Sequence, residues 1–329
     1  MAHGGGDPKK VVMAALVGNL IIAIAKFGAA WVSGSITMLA EGVHSVADTS
    51  NQGLLLVGMA LSARKDPLRF PLGRTKESYF WAFIVSLLLF FVGGVFAIYE
   101  GVHKLQMGSS GEKHSLLVPV VVLVVSLAAE GGSFLVAFKE FNKSRGGKPF
   151  FSALFGGKDP TIPLVLLEDT GAMAGLVIAL VAIVLAWLTG NEAIDAVGSI
   201  VIGVLLCTIG LVLAKDTHSL LIGEGVGEEM RSDIRDLARK VKGVLDVTQL
   251  LSMHLGPKSV LLALKVRFEP TMTLAEVEDC TNRLEETLVA THPDLTRIFV
   301  EPDSHYDPEK DPEYAAAIVR GSALPTESS

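Results

Sequence analysis

His44 and Asp48 stand one helical turn apart inside an apolar run long enough to cross a bilayer. The i, i+4 spacing puts both side chains on one face of a helix, and Glu41, Asn51 and Gln52 extend the same polar stripe. Ionisable groups at membrane depth are expensive to keep, so they face a cavity, a partner or a transported ion rather than lipid. An imidazole and a carboxylate suit a divalent metal, and both also take up protons. Metal or proton transport is therefore the first function that these residues suggest. The competing reading is that His44 and Asp48 bond to each other and hold helices together.

The elements that must position them follow from hydropathy. Half of the 329 residues are apolar and 19% are charged. Six continuous apolar stretches, at 11–33, 37–62, 79–102, 115–138, 163–187 and 194–215, are each long enough for a helix that spans a bilayer. Basic residues gather between spans two and three (Arg64, Lys65, Arg69, Arg74, Lys76) and between spans four and five (Lys139, Lys143, Arg145, Lys148, Lys158). The other connections carry chiefly Lys104 and Lys113, so both termini are expected in the cytoplasm. No signal-peptide pattern opens the chain, and its N-terminus lacks transit-peptide character, which predicts a prokaryotic plasma membrane. Cys207 and Cys280 lie far apart and read as a packed thiol and a helix residue, not a bridge.

Residues 222–303 read as a small cytoplasmic α/β unit. Residues 228–242 have helical periodicity, and a Thr273…Glu276 capping box opens a second helix to about Ala290. Between them, 264–268 alternates apolar and polar after a Gly256-Pro257 turn, and 247–254 and 297–301 are further strands. The order αββαβ fits a ferredoxin-like layer, with 1–10 a cytoplasmic N-terminus, 11–220 the transport domain and 304–329 an unstructured tail. The fold class is thus an α-helical membrane protein with six spans followed by this domain.

Further polar groups lie in the spans. Glu130 on span four, beside Gly131 and Gly132, reads equally as a proton relay, an auxiliary ligand or an inter-helix bonding partner. Asn19 and Lys26 on span one read as packing and snorkelling groups. Glu168 and Asp169 form an acidic pair early in span five. Neighbouring helix positions diverge by about 100°, so the two are not expected to point into one site.

The string Glu41-Gly-Val-His44-Ser-Val-Ala-Asp48-Thr-Ser-Asn51-Gln52-Gly, the Asp-Pro…Phe-Pro-Leu-Gly-Arg turn at 66–74 and the αββαβ tail resemble the cation diffusion facilitator family. The Leu-Leu-Glu-Asp-Thr string at 166–170 is similar to the mitochondrial-type zinc-transporter-nine branch. The resemblance implies a homodimeric exporter of divalent transition metals, zinc first, that exchanges metal for protons. It implies a site pairing His44 and Asp48 with acids on span five. Asp169 aligns with the first of these, Met173 falls where the second would be, and Glu168 competes with Asp169, which leaves a water, Asn51 or a distant carboxylate as the auxiliary ligand. It further implies that Arg74 and Lys76, with Asp216 after span six, form a charge interlock in the dimer. Phe268 and Phe299 stand where family members carry strand histidines, and His254, His292 and His305 are scattered, so the cytoplasmic domain is expected to dimerise with weak or absent metal binding.

One imidazole with carboxylates suits zinc, manganese, cobalt or iron(II), and the absence of thiols among the intramembrane candidates argues against copper(I). Protons compete with metal for the same atoms, which is the chemical basis of antiport. No Ser/His/Asp set, Cys-x-x-Cys, ATP-binding loop or nucleotide fingerprint is found, so a gradient must supply the energy and an enzyme is not expected. No cofactor and no nucleic-acid partner is expected; the alternatives are an exporter of manganese, cobalt or iron(II) and a non-transporting metal-sensing scaffold.

Overall fold

The computed structural model describes residues 7–33, 36–107 and 117–303, apart from the side chains of 29, 30, 32–44 and 118. The expected tail at 304–329 lies outside the described residues. Two compact units emerge, one of residues 1–65 and 76–221, the other of 66–75 and 222–329.

The first unit is helical. It comprises α1 (Pro8–Ser33), α2 (Ile36–Ser62), α3 (Glu77–Leu88), a π-helical segment (Leu89–Val95), α4 (Phe96–Met107), α5 (Leu117–Ser144), α6 (Phe150–Gly156), α7 (Thr161–Thr189) and α8 (Ala193–Ile222). Among the described residues, five segments are long and apolar enough to cross a membrane: Pro8–Gly28, Glu77–Gln106, Pro119–Ser144, Thr161–Thr189 and Ala193–Ile222. The expected second span, α2, is a 27-residue helix, but its polar stripe dilutes its apolarity and it falls outside that set. The chain is an integral multi-pass membrane protein. Its third span is one continuous rod through α3, the π segment and α4, where Phe96 N–H donates five residues back to Phe91 O. The short α6 went unanticipated; Phe150 and Leu154 pack it against Phe141 of α5 and the core.

α1 packs on α2, α5 and α7, and α5 packs on α7. Glycine lets α8 lie against the third span. A Cβ on Gly203 would come within 2.6 Å of Ile98 Cγ1 and 2.7 Å of Gly94 O, and one on Gly210 within 2.9 Å of the Phe90 backbone. Small residues at crossings are how apolar helices gain packing in lipid. At the start of α1, the Glu140 carboxylate of α5 accepts from Asp7 N, Lys10 Nζ and Lys143 Nζ at 3.2, 3.3 and 2.7 Å, pinning the two helices.

The second unit follows the order α9 (Glu228–Arg239), β1 (Val244–Gly256), β2 (Ser259–Phe268), α10 (Leu274–Thr291) and β3 (Leu295–Pro302). This is the expected αββαβ order. The sheet order is β1-β2-β3, with β1 antiparallel and β3 parallel to β2. Gly256 pairs with Ser259, so Pro257 and Lys258 form the hairpin turn. Val260, Leu262, Leu264 and Val266 alternate inward from β2 onto Ile234 and Ala238 of α9 and Cys280, Leu284 and Leu288 of α10. The expected capping box is present: Glu276 N–H donates to Thr273 Oγ1 at 3.4 Å, and Thr273 N–H to Glu276 Oε2 at 2.7 Å. That backbone bond holds the Glu276 carboxyl below its ordinary value. The ammonium of Lys265 is pushed up by hydrogen bonds to Asp303 and Glu301.

Candidate functional site

Four helices of the first unit turn polar side chains inward. On α2, Ser45, Asn51 and Gln52 are buried, and on α5 Ser126, Glu130 and Ser133 recur at i, i+4 and i+7. The first turns of α7 are buried on all sides, from Thr161 to Leu166, because neighbours surround that end. Its acidic pair is therefore interior at both positions: Glu168 is 7% exposed and Asp169 2%.

The two carboxylates address different neighbours. Glu168 Oε1 accepts from Asn51 Nδ2 at 3.1 Å and its Oε2 from Gln52 Nε2 at 2.7 Å, tying α7 to α2. Asp169 Oδ2 accepts from Ser133 Oγ at 2.8 Å, tying α7 to α5. Asp48, half-buried on α2, acts electrostatically on Glu168 and on Asp169. Glu130 feels Asp169 and Asp48, and in the opposite sense Lys26 of α1. The structure thus brings Asp48, Asn51, Glu130, Glu168 and Asp169 into one polar interior. Among the described residues no three His, Cys, Asp or Glu side chains meet closely enough to hold a metal ion. The side chains of Glu41 and His44 lie outside the described residues, although both positions belong to α2. Met173 is half-buried.

Three residues carry more than the sequence assigned them. Gln52, wholly buried, is the closer of the two amides on Glu168. Ser133 holds Asp169, and its place at i+3 from Glu130 was the signal available. Lys26 does not snorkel: it is 6% exposed, because α5 covers that face of α1.

Elsewhere, Lys76 Nζ donates to Leu221 O at 3.3 Å, a cation on the last carbonyls of α8, and the Arg74 guanidinium lies 4.7 Å from the centre of the Phe70 ring. Asp216 is half-buried on α8. In the second unit, His254 is buried, and His292 Nε2 and Asp233 Oδ2 are hydrogen-bonded at 2.7 Å. Phe268 packs on the core and Phe299 is exposed; His305 lies outside the described residues.

Comparison with known proteins adds what the geometry lacks. Residues 12–222 match the cation efflux transmembrane domain, and residues 226–305 the cation efflux protein cytoplasmic domain. The chain is 33% identical to metal tolerance protein C4 of Arabidopsis thaliana over 84% of its own length and 61% of that protein's. It is 30% identical to the human mitochondrial proton-coupled zinc antiporter SLC30A9 over 89% of its own length and 52% of that protein's. To the manganese efflux system protein MneP of Bacillus subtilis it is 19% identical, over 91% and 97% of the two chains. The chain therefore spans only about half to three fifths of the first two relatives. With one family match over the helical unit and a second over the αββαβ unit, this chain belongs to the cation efflux family, the cation diffusion facilitators.

Proposed function

We propose that this chain is a proton-coupled antiporter that exports divalent transition-metal ions, zinc foremost, from the cytoplasm and works as a homodimer. The observation that carries the reading is the pair of adjacent carboxylates, Glu168 and Asp169, kept inside membrane helices and each held by polar side chains from a different neighbour. Apolar substitutes would be far cheaper at that depth, so the acids are retained for an ion.

The two acids divide the work. Both oxygens of Glu168 are engaged by amides, which makes it the tie between α7 and α2, with Asn51 as a holder. Asp169 is oriented through Oδ2 by one hydroxyl, which suits a ligand that is positioned without being saturated. We assign the metal to His44, Asp48 and Asp169, with Glu130 flanking them. Imidazole must be neutral and the acids ionised to hold the cation, so protons loaded from one side displace metal loaded from the other.

The names of the relatives at 30% identity support zinc. A carboxylate-rich set with one imidazole suits manganese, cobalt or iron(II), and the name of the Bacillus relative makes manganese the runner-up. The reading of a prokaryotic plasma membrane draws no support from the relatives named mitochondrial, and fractionation of the host cell tests it. For the dimer, the interlock of Arg74 and Lys76 with Asp216 predicts that single charge reversals weaken association and a paired reversal restores it.

The deciding experiment is zinc and manganese uptake into proteoliposomes under an imposed pH gradient, comparing wild type with Asp48→Ala, Asp169→Ala and Glu168→Gln. Proton-dependent uptake lost in the two aspartate variants supports the assignment. Loss in Glu168→Gln with Asp169→Ala spared would exchange the two roles. No uptake of either metal would leave the metal-sensing scaffold.

A further inference from the structure

A charged lysine inside a membrane helix calls for a reason, and Lys26 has surroundings that supply one. It lies on the inner face of α1 with Ala15, Asn19 and Ile22, at the spacing i, i+4, i+7, i+11. Opposite stands the polar stripe of α5. Between the two helices lies a half-open groove of about 120 Å³, walled by Ile22, Ala25, Val121, Val122 and Val125, with Lys26 and Ser126 as its polar lining. Glu130 is one turn further along α5 from Ser126, on the same face and 8% exposed.

Glu130 thus interacts with two kinds of charge, the ammonium of Lys26 and the carboxylates of Asp48 and Asp169. A lysine with a four-carbon stem normally reaches for the interface. This one is held inside, where an ammonium persists only beside opposite charge. The acids of the site supply that charge when they hold neither metal nor protons, and a divalent ion arriving among them meets a cation already in place.

We propose that Lys26 is a tethered countercharge of the transport site: acting beside Glu130, it offsets the negative charge of the deprotonated, metal-free site and weakens metal binding enough for release. The proposal rests on the transport reading for its purpose, but its direct prediction concerns binding. Lys26 is a positioning residue here, since it acts electrostatically on Glu130 rather than binding the metal.

The test measures zinc affinity by calorimetry on the full-length protein in detergent, together with KM and Vmax of uptake in proteoliposomes. Lys26→Met is expected to tighten zinc binding at least about tenfold, with KM and Vmax falling together as release slows. Lys26→Arg, which keeps the charge, is expected to stay within about threefold of wild type. Glu130→Gln leaves the ammonium unshielded and is expected to weaken binding about tenfold, and Lys26→Met combined with Glu130→Gln to return close to wild type.

Lys26→Met and Lys26→Arg shifting the affinity alike, or Lys26→Met leaving it unchanged, overturns the proposal. So does a double variant as weak as Glu130→Gln alone, because Glu130 would then be a metal ligand in its own right. If Lys26→Met does not fold, Lys26→Gln takes its place in both the single and the double variant. A wild type that binds zinc without transporting it removes the transport reading and leaves the countercharge standing on its affinities.

Discussion

The two units of this chain invert each other. In the cytoplasmic unit the interior is Val260, Leu262, Leu264, Leu284 and Leu288, and the charges lie outside. In the membrane unit large apolar side chains face outward, as with Ile24, Phe96, Leu135 and Trp187, while Asn51, Gln52, Glu130, Glu168 and Asp169 are buried. In water an apolar core is stabilised by expelling solvent. In lipid that drive is absent between helices, so close glycine crossings and polar contacts hold the unit together. A buried acid that would signal an error in the cytoplasmic unit signals function in the membrane unit.

The contrast can be broken by substitution, beginning where the effect is largest. Ser133→Ala removes the donor to Asp169 and is expected to lower metal affinity about 10–100-fold, as loss of a ligand's hydrogen-bond partner does, whereas Gln52→Ala loosens the tie through Glu168 and is expected to lower it less. Titration of metal binding checks this, and thermal stability falling instead, with affinity unmoved, would make the polar interior merely structural. Leu284→Ala in the cytoplasmic core is expected to cost about 2–5 kcal/mol of stability, read from denaturant unfolding of that unit, with the affinity of the membrane site unchanged.

Gly203→Ala tests the crossing of α8 with the third span, where the new methyl would meet Ile98 Cγ1 at 2.6 Å and Gly94 O at 2.7 Å. The expected loss is about 1–3 kcal/mol, seen as a lower melting point in detergent. Thr273→Ala removes the α10 cap and is expected to cost about 1 kcal/mol. The carboxyl of Glu276 is held low chiefly by the backbone N–H of Thr273, which Thr273→Ala keeps, so the carboxylate's contribution is present above the ordinary carboxylate range and is lost as pH falls through its lowered value. Stability of wild type and Glu276→Ala should therefore converge on acidification; a constant difference from pH 7 down to pH 2 would remove the Glu276 charge from the account.

Much of the fold was legible because it obeys local rules. The helical spans came from apolar runs, the strand β2 from alternation, and the start of α10 from Thr273 and Glu276 alone. The interior of the membrane unit was legible only by face. An acid inside an apolar run identified Glu130 and spacing the stripe through Asp48, but helix neighbours are set by tertiary packing, so Ser133 as the holder of Asp169 and α5 as the cover over Lys26 were beyond reach. The expectation that Lys26 snorkels failed for the same reason. The π segment was missed because its residues, Leu89 to Val95, are as apolar as any α-helical span and hydropathy does not sense a change of hydrogen-bond period.

That π segment has a consequence for changes in chain length. A wide turn holds more residues than an α turn while the helix on either side keeps its faces. The third span can therefore give up a residue between Leu89 and Val95: the turn closes to α geometry, Tyr79 and Val85 stay packed on one side, and Gly101 keeps its approach to Ala196 and Ile200 on the other. The same deletion between Thr161 and Leu166 of α7 has no such slack. It would turn Glu168 and Asp169 by about 100° relative to the preceding turn, away from Gln52 and Ser133. One helix of this protein is expected to tolerate a one-residue deletion, and the helix that carries the acids is not, which the yield of folded protein for the two deletions would check.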